Sequence, residues 1–402
     1  MPTSLPKLLA GDRVELRALT SLRFFAALHV VLFHTHALMG ANQPVWLGQL
    51  ASGGHHAVPL FFVLSGFILH YTYQRTDWSK PGEHRNYFVH RVARIYPVYV
   101  LCFLVDVPRG MGHFLATYDP GTALVKASIS GTAYLTLTQT WVPRLAAAWN
   151  SPGWSVSTEA FFYLLCPLLL TRFARLTLAQ SLAGLALMLV AASLGRALPR
   201  LAIDAAGLAP NVWIPFAEVF PPLRIFEFAF GLLLGRLFAA TESSRSVPRL
   251  VVAGFSFTAI AAILLLSNRY TLPFLGRHHG LLLPFYGLLI VCLTVSTNPL
   301  TQFLSWAPFR FLGGASYSVY LLHMPLFTCF QHLAHRAQWT ASPAAFAAYL
   351  VLVVGSASLV FQFYEEPLRR LIRRRFAFLP ADRAPRPVPP IPPLDTSRFP
   401  PG

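Results

Sequence analysis

The chain has 402 residues, of which 55% are hydrophobic and only 12% charged, with a mean hydropathy of +0.52 and a formal net charge of +17. Soluble domains carry about 25% charged residues, whereas here the apolar residues arrive in blocks that each approach the roughly 20 needed to cross a bilayer core. That composition sets aside a soluble fold, and with it nucleic-acid binding as the reason for the positive charge.

Ten apolar segments are predicted as membrane spans: 21–39, 56–73, 95–111, 157–175, 178–195, 219–240, 250–267, 280–296, 312–332 and 344–364. The expected fold class is all-α, a polytopic transmembrane helical bundle with both termini cytoplasmic. Residues 1–19 form a cytoplasmic segment, 20–368 the membrane domain, and 369–402 a basic and then proline-rich tail. Basic residues set the orientation: 22 of the 32 Lys and Arg fall in inside segments and eight outside, with Arg23 and Arg224 within spans. The stretch 122–140 is expected to be re-entrant or to lie on the surface, because an eleventh crossing would invert every later loop. The cluster "RRLIRRR" at 369–375 is expected at the anionic leaflet, and the tail after it is too rich in proline to form a core. No cleavable leader is expected, since the first span begins only near residue 20. Cys102, Cys166, Cys292 and Cys329 sit in apolar segments without metal or redox spacing and are expected to be small core residues; no metal site is expected.

The first span, "LRFFAALHVVLFHTHALMG", carries Arg23, His29, His34 and His36. Arg23 and His34 are eleven positions apart, which at about 100° per residue leaves about 20° after three turns, so both lie on one face about 16 Å apart along the axis. His29 points well away. An arginine at helix centre costs about 2.5–3.5 kcal/mol on insertion scales. Arg23 therefore either marks the inner boundary or heads a polar stripe, with His34 as a proton handler further along.

In the second span, Ser65–Gly66 is a small pair suited to close helix contact; Ser65 lacks any nucleophile-elbow context. In "HRVARIYPVY", reached from an inside loop, Arg91 and Arg94 share a face that suits either phosphate binding or positive-inside anchoring. In "WNSPGWSVSTEAFFYLLCPLLL", Trp154 and Ser155 would mark the outer interface, and Glu159 falls just inside the next span, where a carboxylate is costly unless paired or wet. A histidine is one candidate partner. Arg224 and Glu227, three apart, form an intrahelical pair or line the cavity. The ninth span combines Gly313, Gly314, Ser316, Tyr317, Ser318, Tyr320 and His323 on an otherwise apolar helix, which implies close packing and a substrate channel.

Taken together, these residues resemble the acyltransferase 3 family of integral membrane O-acyltransferases. The arginine, ten residues, histidine signature is similar to Arg23 through His34; "FFVLSGF" matches 61–67; "RxxRIxPxY" matches Arg91 to Tyr99; and "GxxSYSxYLxHxP" matches Gly313 to Pro325. The block around Trp154 departs from the family, with Val156 for the usual leucine and Ala160 for the second glutamate, so Glu159 would act alone. The resemblance implies transfer of an acyl group, commonly acetyl, from a cytoplasmic coenzyme A thioester to a hydroxyl of a carbohydrate or glycoconjugate. It implies His34 as the base, and Arg23 with Arg91 and Arg94 as holders of the anionic donor. Glu159 and His323 would shape or tune the cavity, with Ser65, Trp154, Tyr317 and His323 along the substrate channel. Transfer would be direct, for want of a convincing nucleophile. No permanently bound cofactor is expected; acetyl-CoA or another acyl-CoA is the donor, membrane lipids surround the chain, and the location is a bacterial cytoplasmic membrane. The oligomeric state is not legible. The alternative from another class is a glycolipid or polysaccharide transporter or flippase, which would move its ligand unchanged instead of consuming acetyl-CoA.

Overall fold

The computed structural model describes residues 16–40, 43–241, 249–267, 279–295 and 298–378. Most of the expected N-terminal segment, and the tail beyond 378, lie outside the described residues. Among those described, every regular element is a helix. In chain order they are α1 (Arg17–Thr35), α2 (Val45–Ser52), α3 (Ala57–Tyr73), α4 (Glu83–Thr117), α5 (Pro120–Leu135), α6 (Gly153–Phe173), α7 (Leu178–Ala205), α8 (Pro210–Val219), α9 (Pro221–Thr241), α10 (Arg249–Ser267), α11 (Leu283–Val295), α12 (Pro299–Leu304), α13 (Ala307–Arg336), α14 (Pro343–Val360) and α15 (Glu366–Phe376). A π-helical turn, Phe361–Glu365, joins the last two.

Several starts are written in the sequence. Asp119 accepts from the Thr122 amide with Pro120 at the first helical position of α5. Thr177 and Gln180 form a reciprocal capping box on α7. Ser342 accepts from Ala345 ahead of Pro343 on α14. Each satisfies an amide that the first turn leaves without a helical partner.

Six helical stretches are long and apolar enough to cross a bilayer: Arg17–Met39, Val45–Tyr73, Glu83–Thr117, Gly153–Phe173, Leu178–Ala205 and Pro343–Phe376. The protein is thus an all-α polytopic membrane bundle. The other four expected spans are also helical, as α9, α10, α11 and α13, but α9 carries Arg224, Glu227 and Arg236, and α11 has only 13 residues. On α7, Leu182, Leu187, Val190, Leu194, Leu198 and Leu201 are 46–64% exposed. A continuous aliphatic face of this kind is at home only against lipid.

Boundaries differ from expectation in ways that bear on the site. The third expected span begins twelve residues earlier as the 35-residue α4, so Arg91 and Arg94 stand on a rigid helix and not at the end of a loop. The fourth begins at Gly153, which puts Trp154 and Ser155 in the first turn of α6. The segment around 122–140 contains α5, whose 16 residues reach about 24 Å, short of a roughly 30 Å hydrocarbon core. Cys102, Cys166 and Cys292 are buried, but Cys329 of α13 is exposed, a correction to its expected core role.

The main packing partners are α3 with α9 and α1 with α13. Both contacts include points of direct backbone approach. A Cβ on Gly66 would overlap the Phe228 carbonyl oxygen, one on Gly231 the Val63 carbonyl oxygen, and one on Gly313 the Thr20 carbonyl oxygen. Small residues let membrane helices approach to this distance, which is the close contact expected of Ser65–Gly66 and Gly313–Gly314.

Candidate active site

The three histidines of the opening helix take three different directions. His29 Nε2 lies 2.8 Å from the Leu50 carbonyl on α2. His36, in the 3-10 turn after α1, has Nδ1 3.2 Å from the Leu32 and Phe33 carbonyls. His34 turns inward and meets His323 of α13, with His34 Nδ1 3.2 Å from His323 Nε2 and ring centroids 5.0 Å apart.

The acceptors around this pair fix its protons. His323 is fully buried and its Nδ1 is 2.6 Å from the Tyr320 carbonyl oxygen, which can only accept. The neutral ring therefore carries its hydrogen on Nδ1 and offers a lone pair at Nε2. His34 Nδ1 faces that lone pair and, at 3.1 Å, the Val30 carbonyl. Both are acceptors, so His34 also carries its hydrogen on Nδ1. Its Nε2 is left as a lone pair that meets no donor among the described residues, on a side chain that lines a cavity of about 840 Å³. Tyr349 locks the arrangement from behind, donating to the His323 carbonyl at 2.8 Å.

This large cavity, labelled outer only to tell it from the next, is walled by α1, α2, α3, α6, α7, α8, α9 and α13 and by the segment 142–152. Trp154 lines it, with Arg224 beside it; the Arg224 guanidinium stands 5.8 Å from the Trp154 ring and 5.4 Å from that of Phe62. Arg224 is 1% exposed and pairs with Glu227 at 3.2 Å, as expected of an intrahelical pair, and of the two Arg224 is the one that lines the cavity. Arg144, Arg196 and Arg200 also line this cavity. Sequence reasoning did not single them out, because each looks like an ordinary loop or helix-end charge.

A second, inner cavity of about 230 Å³ gathers the other predicted residues: Arg23, Ser65, Arg91, Arg94, Glu159 and Tyr317. Arg91 is held in an aromatic cage, 5.6–5.8 Å from the rings of Tyr73, Tyr87 and Tyr163. Arg94 pairs with Glu365 at 2.7 Å and lies over the Tyr317 ring at 5.5 Å. Tyr317 donates to the Ile95 carbonyl at 2.7 Å, which pins α13 to α4. Glu159 accepts from Ser65 at 3.0 Å and from Tyr163 at 2.5 Å. The carboxylate is thus paired with two hydroxyls, not with a histidine, and the structure does not bring it to His34: it corrects that expected pairing. Ser65 gives its hydroxyl hydrogen to that carboxylate.

Two contributors to the inner cavity come from the chain's far end. Glu365, fully buried, sits in the π-helical turn and also accepts from Ser318 at 2.8 Å. Arg373 of α15 lines the cavity itself. A carboxylate pair closing an apolar helix, "FYEEP", was the available signal, since a buried acid in a membrane helix demands a partner.

A cavity lined by four arginines thus adjoins a larger cavity that takes the imidazole lone pair of His34. The profile described as an acyltransferase domain, Acyl_transf_3, matches residues 16–361. The chain is 29% identical over 382 residues to the acyltransferase MdmB of Streptomyces mycarofaciens, covering 90% of this chain and 94% of that one. It is 22% identical over 389 residues to the O-acetyltransferase OatA of Staphylococcus aureus strain MRSA252, covering 92% and 60%. It is 25% identical over 394 residues to YrhL of Bacillus subtilis strain 168, named as a candidate peptidoglycan O-acetyltransferase, covering 89% and 56%. The chain therefore spans somewhat over half the length of the last two. No solved structure matches it. The enzyme reading displaces the transporter alternative: the chain belongs to the acyltransferase 3 family, membrane enzymes that move an acyl group from an acyl-CoA to a hydroxyl.

Proposed function

We propose that this enzyme acetylates a hydroxyl of a carbohydrate or glycoconjugate, taking the acetyl group from acetyl-CoA on the cytoplasmic side of a bacterial inner membrane. The observation that carries the proposal is the division of labour between the cavities. Arg23, Arg91, Arg94 and Arg373 gather on the inner one, and the His34 lone pair serves the outer one. The names of OatA and YrhL support acetyl as the group, and that of YrhL, which specifies peptidoglycan, supports a cell-wall glycan as the acceptor class.

In this reading α9, α10, α11 and α13 complete a ten-span bundle, and the arginine-rich end faces the cytoplasm, in keeping with the basic bias. The inner cavity is smaller than the roughly 300 Å³ at which drug-sized ligand sites begin. It suits the acyl-bearing arm of the donor, with the nucleotide phosphates held at the basic rim by Arg91, Arg94 and Arg373. Glu159, held by Ser65 and Tyr163, places a negative charge among these arginines and offsets their mutual repulsion.

His34 then acts as general base. The acceptor's hydroxyl proton moves to His34 Nε2 as the oxygen attacks the thioester carbonyl carbon. The tetrahedral adduct collapses with its C–S bond broken, and the proton passes from His34 to the departing CoA sulfur. Trp154 offers the acceptor an aromatic face. The test is transfer of radiolabelled acetyl from acetyl-CoA into an alkali-labile ester by membranes holding the wild-type chain or His34→Ala at equal levels. Loss of label with His34→Ala is expected; equal labelling would remove His34 as the base.

A further inference from the structure

The helices that meet both cavities do so in one order. On α1, Arg23 lines the inner cavity and Val30, Phe33 and His34 the outer; on α6, Trp154 lines the outer and Ser155, Val156, Glu159 and Tyr163 the inner. Two described residues, Val58 and Tyr320, line both. Val58 is a short, buried side chain on α3 with little freedom to move. Tyr320 is different. Its hydroxyl is clasped across to α6, 2.8 Å from Ser155 Oγ and 3.3 Å from the Pro152 carbonyl, and Ser155 itself donates to Pro152 at 3.0 Å. Its ring stands between Phe61 and His323, at 5.9 and 6.0 Å.

A thioester arriving by the inner cavity is separated from the His34 lone pair by this ring. Transfer needs the attacking oxygen within about 3–3.5 Å of the carbonyl carbon, so the ring must give way for the reaction to occur. We infer that Tyr320 is the gate between donor and acceptor cavities, and that by staying shut it keeps the thioester from water in the outer cavity. This rests on the donor and acceptor assignment proposed above. The gate is tied to the base by its own backbone: the Tyr320 carbonyl is the acceptor that fixes the His323 proton, and His323 in turn orients His34. Swinging the side chain leaves that carbonyl in place, so the passage can open while the base stays set.

With the ring gone, water takes the place of the acceptor. It gives a proton to His34 while its oxygen attacks the thioester carbon, and the products are acetic acid and CoA thiol. In purified protein given acetyl-CoA and no acceptor, Tyr320→Ala should release CoA thiol at least tenfold faster than wild type, Tyr320→Phe by an intermediate factor, and Tyr320→Ala combined with His34→Ala at the wild-type background. Tyr320→Ala should still bind acetyl-CoA, which reports that it is folded. A folded, donor-binding Tyr320→Ala with no gain in hydrolysis overturns the gate. A second measurement does not depend on the donor reading. In a Cys329→Ser background, Ser65→Cys in sealed proteoliposomes should react with a membrane-impermeant maleimide from one face only, and from both faces once Tyr320→Ala is added. Labelling from both faces without the added change, or from one face with it, equally overturns the gate. Absence of acetyl-CoA binding in wild type would instead sink the donor assignment, leaving the labelling result to decide the gate.

Discussion

Removing His323 should slow the enzyme modestly, whereas removing His34 should stop it. In the native site the His34 Nδ1 hydrogen is shared between His323 Nε2 at 3.2 Å and the Val30 carbonyl at 3.1 Å. In His323→Leu the carbonyl still holds that hydrogen, so the proton stays on Nδ1 and the lone pair on Nε2. What is lost is one neutral hydrogen bond and its orienting effect, about 0.5–1.5 kcal/mol, or about two- to thirteenfold in kcat at about 1.36 kcal/mol per decade. Loss of a general base costs about 10²–10⁴-fold. His323→Gln can return an amide oxygen to the position of Nε2 and should recover most of the loss. The assay is CoA release at saturating acetyl-CoA with acceptor present, alongside the acetyl-CoA KM, which should not change in any of the three. If His323→Leu is as inactive as His34→Ala while still binding donor, His323 is the base and the proton assignment above is wrong. If it is fully active, the histidine pair is packing and not positioning.

Two other substitutions test other parts of the molecule. Gly231→Ala drives a methyl into the Val63 carbonyl across the α3–α9 contact; backbone cannot rotate aside as a side chain can, so the loss of stability should reach the upper end of the 1–3 kcal/mol typical of overpacking, read as a lower thermal midpoint of the solubilised protein. Arg91→Met removes the caged charge from the inner cavity and should raise the acetyl-CoA KM about ten- to hundredfold, the value of one charge-assisted contact, with kcat nearly unchanged. An unchanged KM would take Arg91 out of the donor site and return it to anchoring.

Much of the bundle was legible because membrane spans announce themselves by length and apolarity, and helical periodicity placed Arg23 and His34 on one face of α1 correctly. The same periodicity could not say that the two residues open on different cavities. A shared face tells which side chains point together, but the neighbour they meet is set by packing. Glu159 shows the limit: its cost in an apolar helix demanded a partner, yet two hydroxyls, one from α3 and one from its own helix a turn later, were as good in chemistry as the histidine expected. The aligned motif at 313–325 located His323, while its contact with His34 spans 289 positions of chain. Glu365 reaches Arg94 across 271 positions, Arg373 comes from the same end of the chain, and there the only local sign was a carboxylate pair beside a proline.

The glycine contacts also determine how the molecule can move. At the glycines where α1 meets α13 and α3 meets α9, backbone lies directly on backbone, and at those points no rotamer can absorb a displacement, while side chains such as His34 with His323 and Phe67 with Phe238 bridge the same pairs. Each pair behaves as a solid block. His34, Tyr320 and His323 all ride on the first of them. Ser155 and Glu159 ride on α6, which joins its neighbours through side chains such as the Phe62–Phe162 ring contact and the Thr158 hydroxyl on the Val219 carbonyl. Shear is therefore cheapest along α6, and a turnover that loosens this seam need not disturb the imidazoles, whose productive geometry tolerates only about 0.5 Å.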